Sequence, residues 1–329
     1  MSAPAEQPRT ASHVLELVGG TPAIWLDRLR EGRSGRVLLK LETQNPGGSI
    51  KDRAALRCLE DAVARGDLQP GGTVVELTSG NMGIGLAIAC AILGYRMVAV
   101  MSVGNSEERR RVLAAYGAEV ILVAQAPGGV PGQVSGDDLA LVEQRTEEVV
   151  RERSAWRPDQ FRNPSNVAAH ATTTGPELWA QATGGGDRLW AFTAMVGTAG
   201  TFVGVAKALK SRDRTIRCYA VEPVGAAVLA NCPVTNPNHK LQGAGYAMVP
   251  DGWDASLADG YLAITNDDAV STARDLARRE GILGGFTSGA NVAAALQLAA
   301  EAPAGAIIAT IAPDTGLRYL STDLFTSDE

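Results

Sequence analysis

The stretch NPGGSIKDR (residues 45–53) joins an apolar run to a segment with helical periodicity. Ser49 is placed to cap the helix, which puts Lys51 in its first turn. A lysine is unfavourable there, because its charge meets the positive end of the helix dipole. One interpretation is a surface lysine balanced by Asp52. The other is an amine whose surroundings lower its pKa, or which is consumed as an imine in Schiff-base chemistry.

Three further turns rich in glycine, serine or threonine lie where a predicted strand is followed by a predicted helix. They read TSGNMG (78–83), VGTAGT (196–201) and FTSGAN (286–291). In doubly wound α/β folds ligands bind at this edge of the sheet. The first turn suits a carboxylate and the second suits a monophosphate, although helix capping explains each one singly.

A dinucleotide site is the competing interpretation of the second turn. Glu222 follows Gly200 at about the 20-residue distance that an acidic ribose ligand would need. The turn does not read G-x-G-x-x-G, however. Its two threonine hydroxyls suit a monophosphate better.

Composition limits the class of protein. The 329 residues suffice for two domains or one large α/β unit, and 45% hydrophobic with 20% charged residues is typical of a globular chain. The formal net charge of −6 argues against nucleic acid or an anionic membrane as a partner. The four cysteines form no CxxC and the three histidines are isolated, so we expect reduced thiols and no metal site. Without a signal-like N-terminus or a long apolar run, a cytoplasmic location is expected.

Short aliphatic runs alternate with Ala- and Leu-rich helical stretches, which is typical of a mostly parallel sheet covered by helices. We expect strands at 37–41, 73–77, 96–100, 119–123, 189–194, 216–221 and 306–311. We expect helices at 49–65, 81–93, 106–116, 137–153, 167–182, 200–210, 267–279 and 288–300. The Pro- and Gly-rich stretch 126–137 is predicted to be a mobile surface loop.

Together and in this order, the four motifs resemble the cysteine synthase (O-acetylserine sulfhydrylase) and cystathionine β-synthase family of fold-type II pyridoxal-phosphate enzymes. The resemblance extends from VGGTP (18–22) to PDTGLRYLST (313–322) and includes QFRNPSN (160–166), TTTGPE (172–177) and HKLQGAG (239–245). It implies a tryptophan synthase β-like α/β fold with two open, twisted, mostly parallel sheets flanked by helices. It also implies a smaller mobile domain at 46–159, a larger domain from 1–45 and 160–329, and a cofactor between them.

The resemblance implies pyridoxal 5′-phosphate as the cofactor and assigns roles to individual residues. Lys51 would form the internal aldimine and act as the catalytic acid and base, Asn81 would bond the phenolic oxygen, and Ser288 would face the pyridine nitrogen. The phosphate would be bound by Gly197, Thr198, Ala199, Gly200 and Thr201. The substrate would be bound by Thr78, Ser79, Gly80, Met82, Gln160, Gly243 and Tyr246.

The implied reaction is β-replacement on an O-activated serine of the O-acetylserine or O-phosphoserine type. It would run through an α-aminoacrylate to cysteine or another β-substituted alanine, in a transferase that forms a homodimer. A β-elimination lyase or serine/threonine dehydratase is the first alternative, and a non-catalytic regulatory homologue is the second.

This sequence departs from the family pattern where substrate would bind. Met82 stands where the family has threonine, Leu317 replaces the glutamate of Gly-Glu-Arg, and Tyr246 lies in a glycine-rich stretch. We therefore hypothesise a leaving group or nucleophile other than acetate and sulfide.

Overall fold

The computed structural model describes residues 10–78, 80–128, 134, 136–237 and 239–326. Ser79, which was predicted to bind substrate, and half of the predicted loop 126–137 lie outside the described residues. Within the described part of the chain, no helix has the length and apolar character needed to cross a membrane.

Nine strands and nine α-helices make up the described regular structure. The strands are β1 (Ala23–Trp25), β2 (Arg36–Leu41), β3 (Thr73–Leu77), β4 (Arg96–Ser102), β5 (Glu119–Val123), β6 (Leu189–Met195), β7 (Arg217–Pro223), β8 (Gly260–Ile264) and β9 (Ile307–Ala312). The helices are α1 (Lys51–Arg65), α2 (Asn81–Leu93), α3 (Glu107–Ala115), α4 (Gly136–Arg153), α5 (Pro164–Ala169), α6 (Gly175–Thr183), α7 (Gly200–Arg212), α8 (Asn266–Asp275) and α9 (Phe286–Glu301).

The strands form two separate sheets. Six strands are arranged in the order β1-β2-β9-β6-β7-β8, and all neighbours are parallel except β1 and β2. The other sheet has the order β3-β4-β5 and is entirely parallel. The predicted fold class, with two open and mostly parallel sheets flanked by helices, is confirmed. The domain boundaries at 46 and 159 stay a prediction.

All seven predicted strands are present, with ends within two residues of the prediction. The sequence analysis missed β1 and β8, each of which lies at an edge of the larger sheet and pairs with one neighbour. Both are short, and neither is buried on both faces, since the residues of β1 are all half-buried and four of the five residues of β8 are half-buried or exposed.

The helix predicted over 167–182 is present, but it is not a regular α-helix throughout. A π-helical turn, His170–Thr174, separates α5 from α6. Pro176 has no N–H to donate to the helix behind it, and the hydroxyls of Thr172 and Thr173 bond the carbonyls of Ala168 and Ala169 at 2.8 and 2.6 Å. Both features favour a widened turn over a regular helix.

Helices α1 and α2 pack closely at a glycine. A Cβ on Gly85 would lie 2.9 Å from the Cβ of Ala55 and 3.1 Å from the carbonyl oxygen of Lys51. Because no larger residue fits there, the glycine sets the distance between α2 and the start of α1. This contact places the lysine beside the first turn of α2.

A buried group of charges fixes the other side of α1. Arg53 donates to Glu42 at 2.7 and 2.8 Å and to Glu177 at 2.7 Å through each of two nitrogens. Lys40, whose side chain is fully buried, pairs with Glu177 at 2.8 Å. Although burial alone would raise it, Arg53 and Lys40 lower the pKa of Glu177 to about 2. These contacts join α1, the end of β2 and α6.

We predict that Arg53→Met lowers the free energy of unfolding by about 3–5 kcal/mol, because it leaves the buried carboxylate of Glu42 without its ion-pair partner and leaves Glu177 with Lys40 alone. Urea denaturation of the cofactor-free protein measures the loss. Arg111→Met is the matched control, since the ion pair of Arg111 with Glu107 on α3 is largely exposed. An equal loss in both variants would contradict the prediction.

Candidate active site

Lys51 is the first residue of α1. The hydroxyl oxygen of Ser49 accepts the backbone N–H of Lys51 at 3.3 Å, and the carboxylate of Asp52 accepts that of Gly47 at 2.5 Å. The predicted helix start is therefore two residues early, but Ser49 makes the expected kind of contact. The loop 45–50 is folded back on α1, and the side chain of Lys51 extends towards the phosphate loop.

The amine of Lys51 lies within the protein rather than in solvent. Its Nζ is 3.3 Å from Oγ1 of Thr198, a residue of the predicted phosphate loop. Burial lowers the pKa of Lys51 to about 8, and the nearby carboxyl of Glu76 acts in the opposite direction. An unperturbed lysine has a pKa of about 10.4. The neutral, nucleophilic amine is therefore far more accessible here than on a surface lysine.

The turn between β6 and α7 requires small residues for steric reasons. A Cβ on Gly197 would lie 2.5 Å from the carbonyl oxygen of Gly243, and one on Gly200 would lie 2.3 Å from Oδ1 of Asn166. Ala199 adopts a left-handed conformation with a φ of 65°. The turn leads into the N-terminus of α7, where unpaired N–H groups and the helix dipole favour an anion.

Two polar side chains that the sequence analysis did not single out support this turn. Asn166 donates to Oγ1 of Thr198 at 2.9 Å, and Nε2 of His170 is 3.3 Å from Oγ1 of Thr201. Burial lowers the pKa of His170 well below its ordinary value, so its ring is neutral. Asn166 ends the QFRNPSN motif, and His170 lies two residues before TTTGPE. These motifs were the sequence signal that could have identified both residues.

In the loop before α2, the hydroxyl of Thr78 caps the start of the helix. Oγ1 of Thr78 accepts the N–H of Gly83 at 2.9 Å and that of Gly80 at 3.4 Å. The side chain of Met82 is buried in the hydrophobic cluster around α1 and α2, with an exposed fraction of 2%. The backbone of this loop is thus what faces a ligand, and the idea that the long side chain of Met82 shapes the substrate pocket finds no support in its position.

Asn81 and Ser288 occupy two other helix starts. Nδ2 of Asn81 donates to Asp314 at 2.9 Å, and its Oδ1 accepts from Arg318. Ser288 is fully buried in the first turn of α9, and its Oγ has no hydrogen-bond partner among the described residues. A buried hydroxyl without a partner is costly, so Ser288 is suited to a polar atom of a bound group.

The remaining predicted substrate residues lie around the phosphate loop. The carbonyl of Gly243 is next to Gly197, as described above, and the carbonyl of Gln160 accepts from Asn166 at 2.8 Å. The ring of Tyr246 meets that of Phe161 edge-on at 5.5 Å. Whether these residues bind substrate stays a prediction.

Glu76 was also missed by the sequence analysis. Its side chain is 1% exposed, and burial raises its pKa to about 8 against the opposing effect of Arg157, whose Nε is 3.7 Å away. An acidic residue inside the apolar strand TVVEL was a visible signal. Its electrostatic effect on Lys51 depends on the packing of β3 against α1, which no local pattern reveals.

The residues present fit a pyridoxal-phosphate group. A steric cradle at Gly197 and Gly200 precedes a helix N-terminus, the unpartnered hydroxyl of Ser288 can meet a ring nitrogen, and the amine of Lys51 has a lowered pKa. Direct contacts join Lys51 to the phosphate loop. Neither Ser288 nor Asn81 touches Lys51 directly, so a ligand would connect them.

We predict that Gly197→Ala weakens binding of pyridoxal phosphate by about tenfold or more, because the new methyl group forces the phosphate loop away from Gly243. Fluorescence titration of the cofactor-free protein measures the dissociation constant. Gly136→Ala is the matched control, since a Cβ there meets nothing within 4 Å. Unchanged affinity in Gly197→Ala would show that this turn does not hold the phosphate.

Comparison with known proteins agrees with this geometry. A family profile described as "Pyridoxal-phosphate dependent enzyme" matches residues 14–314. A cysteine synthase from Staphylococcus aureus is 40% identical over 322 residues, covering 98% of this chain and 99% of the relative. An O-ureido-L-serine synthase from Streptomyces lavendulae is 41% identical over 313 residues, covering 95% and 92%.

A solved structure is also similar over the whole chain. The O-acetyl serine sulfhydrylase isoform 3 from Entamoeba histolytica matches with a TM-score of 0.89 at 34% identity, covering 100% of this chain and 96% of that one. The chain therefore belongs to the cysteine synthase and cystathionine β-synthase family of fold-type II enzymes, and pyridoxal phosphate is its cofactor.

Proposed function

We propose that the enzyme catalyses β-replacement on an O-activated serine, giving cysteine or another β-substituted alanine. The observation that carries the proposal is the contact of 3.3 Å between Nζ of Lys51 and the phosphate loop, made by an amine whose pKa is lowered to about 8. Two relatives are named for making cysteine and O-ureido-L-serine, which are both alanines substituted at Cβ.

Lys51 is the group that holds and moves the proton. The cofactor, when bound, withdraws electrons from Cα of the amino acid and so acidifies the Cα–H bond. The neutral amine of Lys51 takes that proton, the Cβ–O bond breaks and its electron pair leaves with the O-linked group, and the protonated amine returns the proton to Cα once the nucleophile has added at Cβ. With a pKa of about 8, Lys51 has both forms accessible near neutral pH.

Ser288 supports elimination at Cβ over other reactions of the same cofactor. A hydroxyl can donate to an unprotonated ring nitrogen, whereas a carboxylate would keep that nitrogen protonated. The ring then draws electrons less strongly, and departure of a group from Cβ is favoured over racemisation or transamination. The full burial of Ser288 supports this role.

The substrate carboxylate would be received by the backbone N–H groups of Asn81 and Met82 at the start of α2, because those of Gly80 and Gly83 already bond Thr78 and that of Thr78 bonds Val100. We propose that the smaller domain at 46–159 closes over the bound carboxylate and excludes water, which would otherwise release pyruvate and ammonia. A homodimer and a cytoplasmic location are further proposals, and the homodimer rests on the family resemblance.

The leaving group and the nucleophile are the open part of the proposal. Tyr246 and its edge-on contact with Phe161 place two aromatic rings beside Gln160, where a substituent on Cβ could pack. We therefore keep the hypothesis that the leaving group and the nucleophile differ from acetate and sulfide. The hypothesis now rests on Tyr246 and not on Met82.

The proposed function is tested by offering the cofactor-loaded enzyme O-acetylserine, O-phosphoserine or serine, each with sulfide, hydroxyurea or no nucleophile. We expect one donor to give a β-substituted alanine by mass spectrometry, with little pyruvate. In Lys51→Ala, turnover should fall by at least about a thousandfold while Lys207→Ala stays active. Pyruvate release that is equally fast without a nucleophile would make the protein a β-elimination lyase.

We predict a pH dependence from the lowered pKa of Lys51. Only the neutral amine attacks an aldehyde, so attachment of added pyridoxal phosphate to the cofactor-free protein should accelerate as pH rises and level off above about 9. The midpoint should lie near the pKa of about 8. Stopped-flow absorbance measures the rate. A midpoint near the ordinary lysine value would contradict the burial of this amine.

Glu76 also has a pKa of about 8, so it needs its own control. Glu76→Gln removes a negative charge near Lys51 and should move the midpoint to lower pH without abolishing it. If the pH dependence disappears in Glu76→Gln, the titrating group is Glu76 and not Lys51.

A further inference from the structure

The side-chain amide of Asn81 lies between two groups of opposite charge. Its Nδ2 donates to Oδ2 of Asp314 at 2.9 Å, and its Oδ1 accepts from Nη1 of Arg318. Both partners come from the segment that follows β9, whereas Asn81 is the first residue of α2. We call Asp314 and Arg318 the amide clamp.

The clamp permits only one orientation of the amide. A flipped Asn81 would turn its oxygen towards the carboxylate of Asp314 and its NH₂ group towards the guanidinium of Arg318, and both contacts would be repulsive. In the observed orientation each hydrogen bond has a charged partner, which strengthens it. The oxygen is thereby engaged, while the second amide hydrogen has no acceptor among the described residues. Asn81 therefore has an N–H group to offer to a ligand, and its orientation as a donor is fixed.

The clamp is itself held firmly. Asp314 is 3% exposed, and its Oδ2 also accepts the hydroxyl of Tyr319 at 2.7 Å. Arg318 donates through its second nitrogen, Nη2, to the carbonyl of Gly47. The backbone N–H of Thr315 bonds the carbonyl of Gly48 at 3.1 Å. The clamp thus connects Asn81 to the loop that carries Lys51.

We propose that Asp314 and Arg318 are positioning residues, which fix Asn81 as a hydrogen-bond donor to the phenolic oxygen of the bound cofactor. The proposal rests on the proposed function and on the role in it that the family resemblance implies for Asn81, and it assigns Asp314 and Arg318 a task in that role. The alternative is a purely structural role, in which the same contacts anchor the segment after β9 and have no effect through Asn81.

A double-mutant cycle on cofactor affinity separates these roles, because two residues that act through one contact are not additive. Arg318→Met is made in the native protein and in Asn81→Ala. If Arg318 acts through Asn81, it should weaken pyridoxal-phosphate binding about tenfold in the first background and less than about twofold in the second. The ratio of the absorption bands of the bound cofactor, which reports protonation at its phenolic oxygen, should change in the same pattern.

Arg274→Met is the matched control, because this arginine also anchors the C-terminal segment, by donating to the carbonyls of Leu324 and Thr326 at 2.8 and 2.7 Å. It should leave both affinity and spectrum unchanged within about twofold. Melting temperatures of the cofactor-free variants record any general loss of stability. Should Arg318→Met fail to fold, Arg318→Lys enters the same cycle and should show a smaller loss that again depends on Asn81.

Equal weakening by Arg318→Met in both backgrounds would overturn the proposal in favour of an anchoring role. No effect of Asn81→Ala on affinity or spectrum would overturn it too, together with the role of Asn81 in the proposed function. The cycle measures only binding and the spectrum, so a failure of the β-replacement assay would leave a non-additive result standing as support.

Discussion

The site depends on the two salt bridges that Arg53 makes with Glu42 and Glu177. The guanidinium of Arg53 and the carboxylate of Glu42 are almost removed from water and that of Glu177 partly so, which is tolerable because the guanidinium bonds both carboxylates at 2.7–2.8 Å. Arg53 is two residues beyond Lys51, so it fixes the first turn of α1 against β2 and α6. Thr21 and Lys40 also bond to these charged side chains. Any shift of Lys51 along the axis of α1 would break the contacts of Arg53.

A second constraint is that the polar groups around the lysine divide into two kinds. Oγ1 of Thr78, Nδ2 of Asn166 and Oδ2 of Asp314 have protein partners and build the frame, whereas Oδ1 of Asn166 and Oδ1 of Asp314 are buried without one among the described residues. The hydroxyl of Ser288 and one N–H of Asn81 have no partner among the described residues and are therefore available to a ligand. The frame is rigid where a fixed cofactor is expected. Its substrate side relies on backbone groups and two aromatic rings, so related chains can share the frame and make different products.

The sequence indicated most of this arrangement because each of its turns carries a local signal. Gly197 and Gly200 mark the phosphate loop at positions where a side chain would collide with a neighbour, and aliphatic runs mark all seven predicted strands. Local signals failed where a residue acts through a distant partner. The edge strands β1 and β8 carry short patterns, and the π-helical turn at His170–Thr174 depends on backbone bonding around Pro176.

The sequence by itself determined the fold class, the cofactor and the candidate lysine, because motif order and strand–helix alternation are properties of the chain. Only the tertiary structure decided what surrounds Lys51. The lowered pKa of its amine, the opposing carboxyl of Glu76 and the amide clamp on Asn81 join residues up to 237 positions apart. Burial and charge proximity depend on which elements pack together, and the distance along the chain does not encode them.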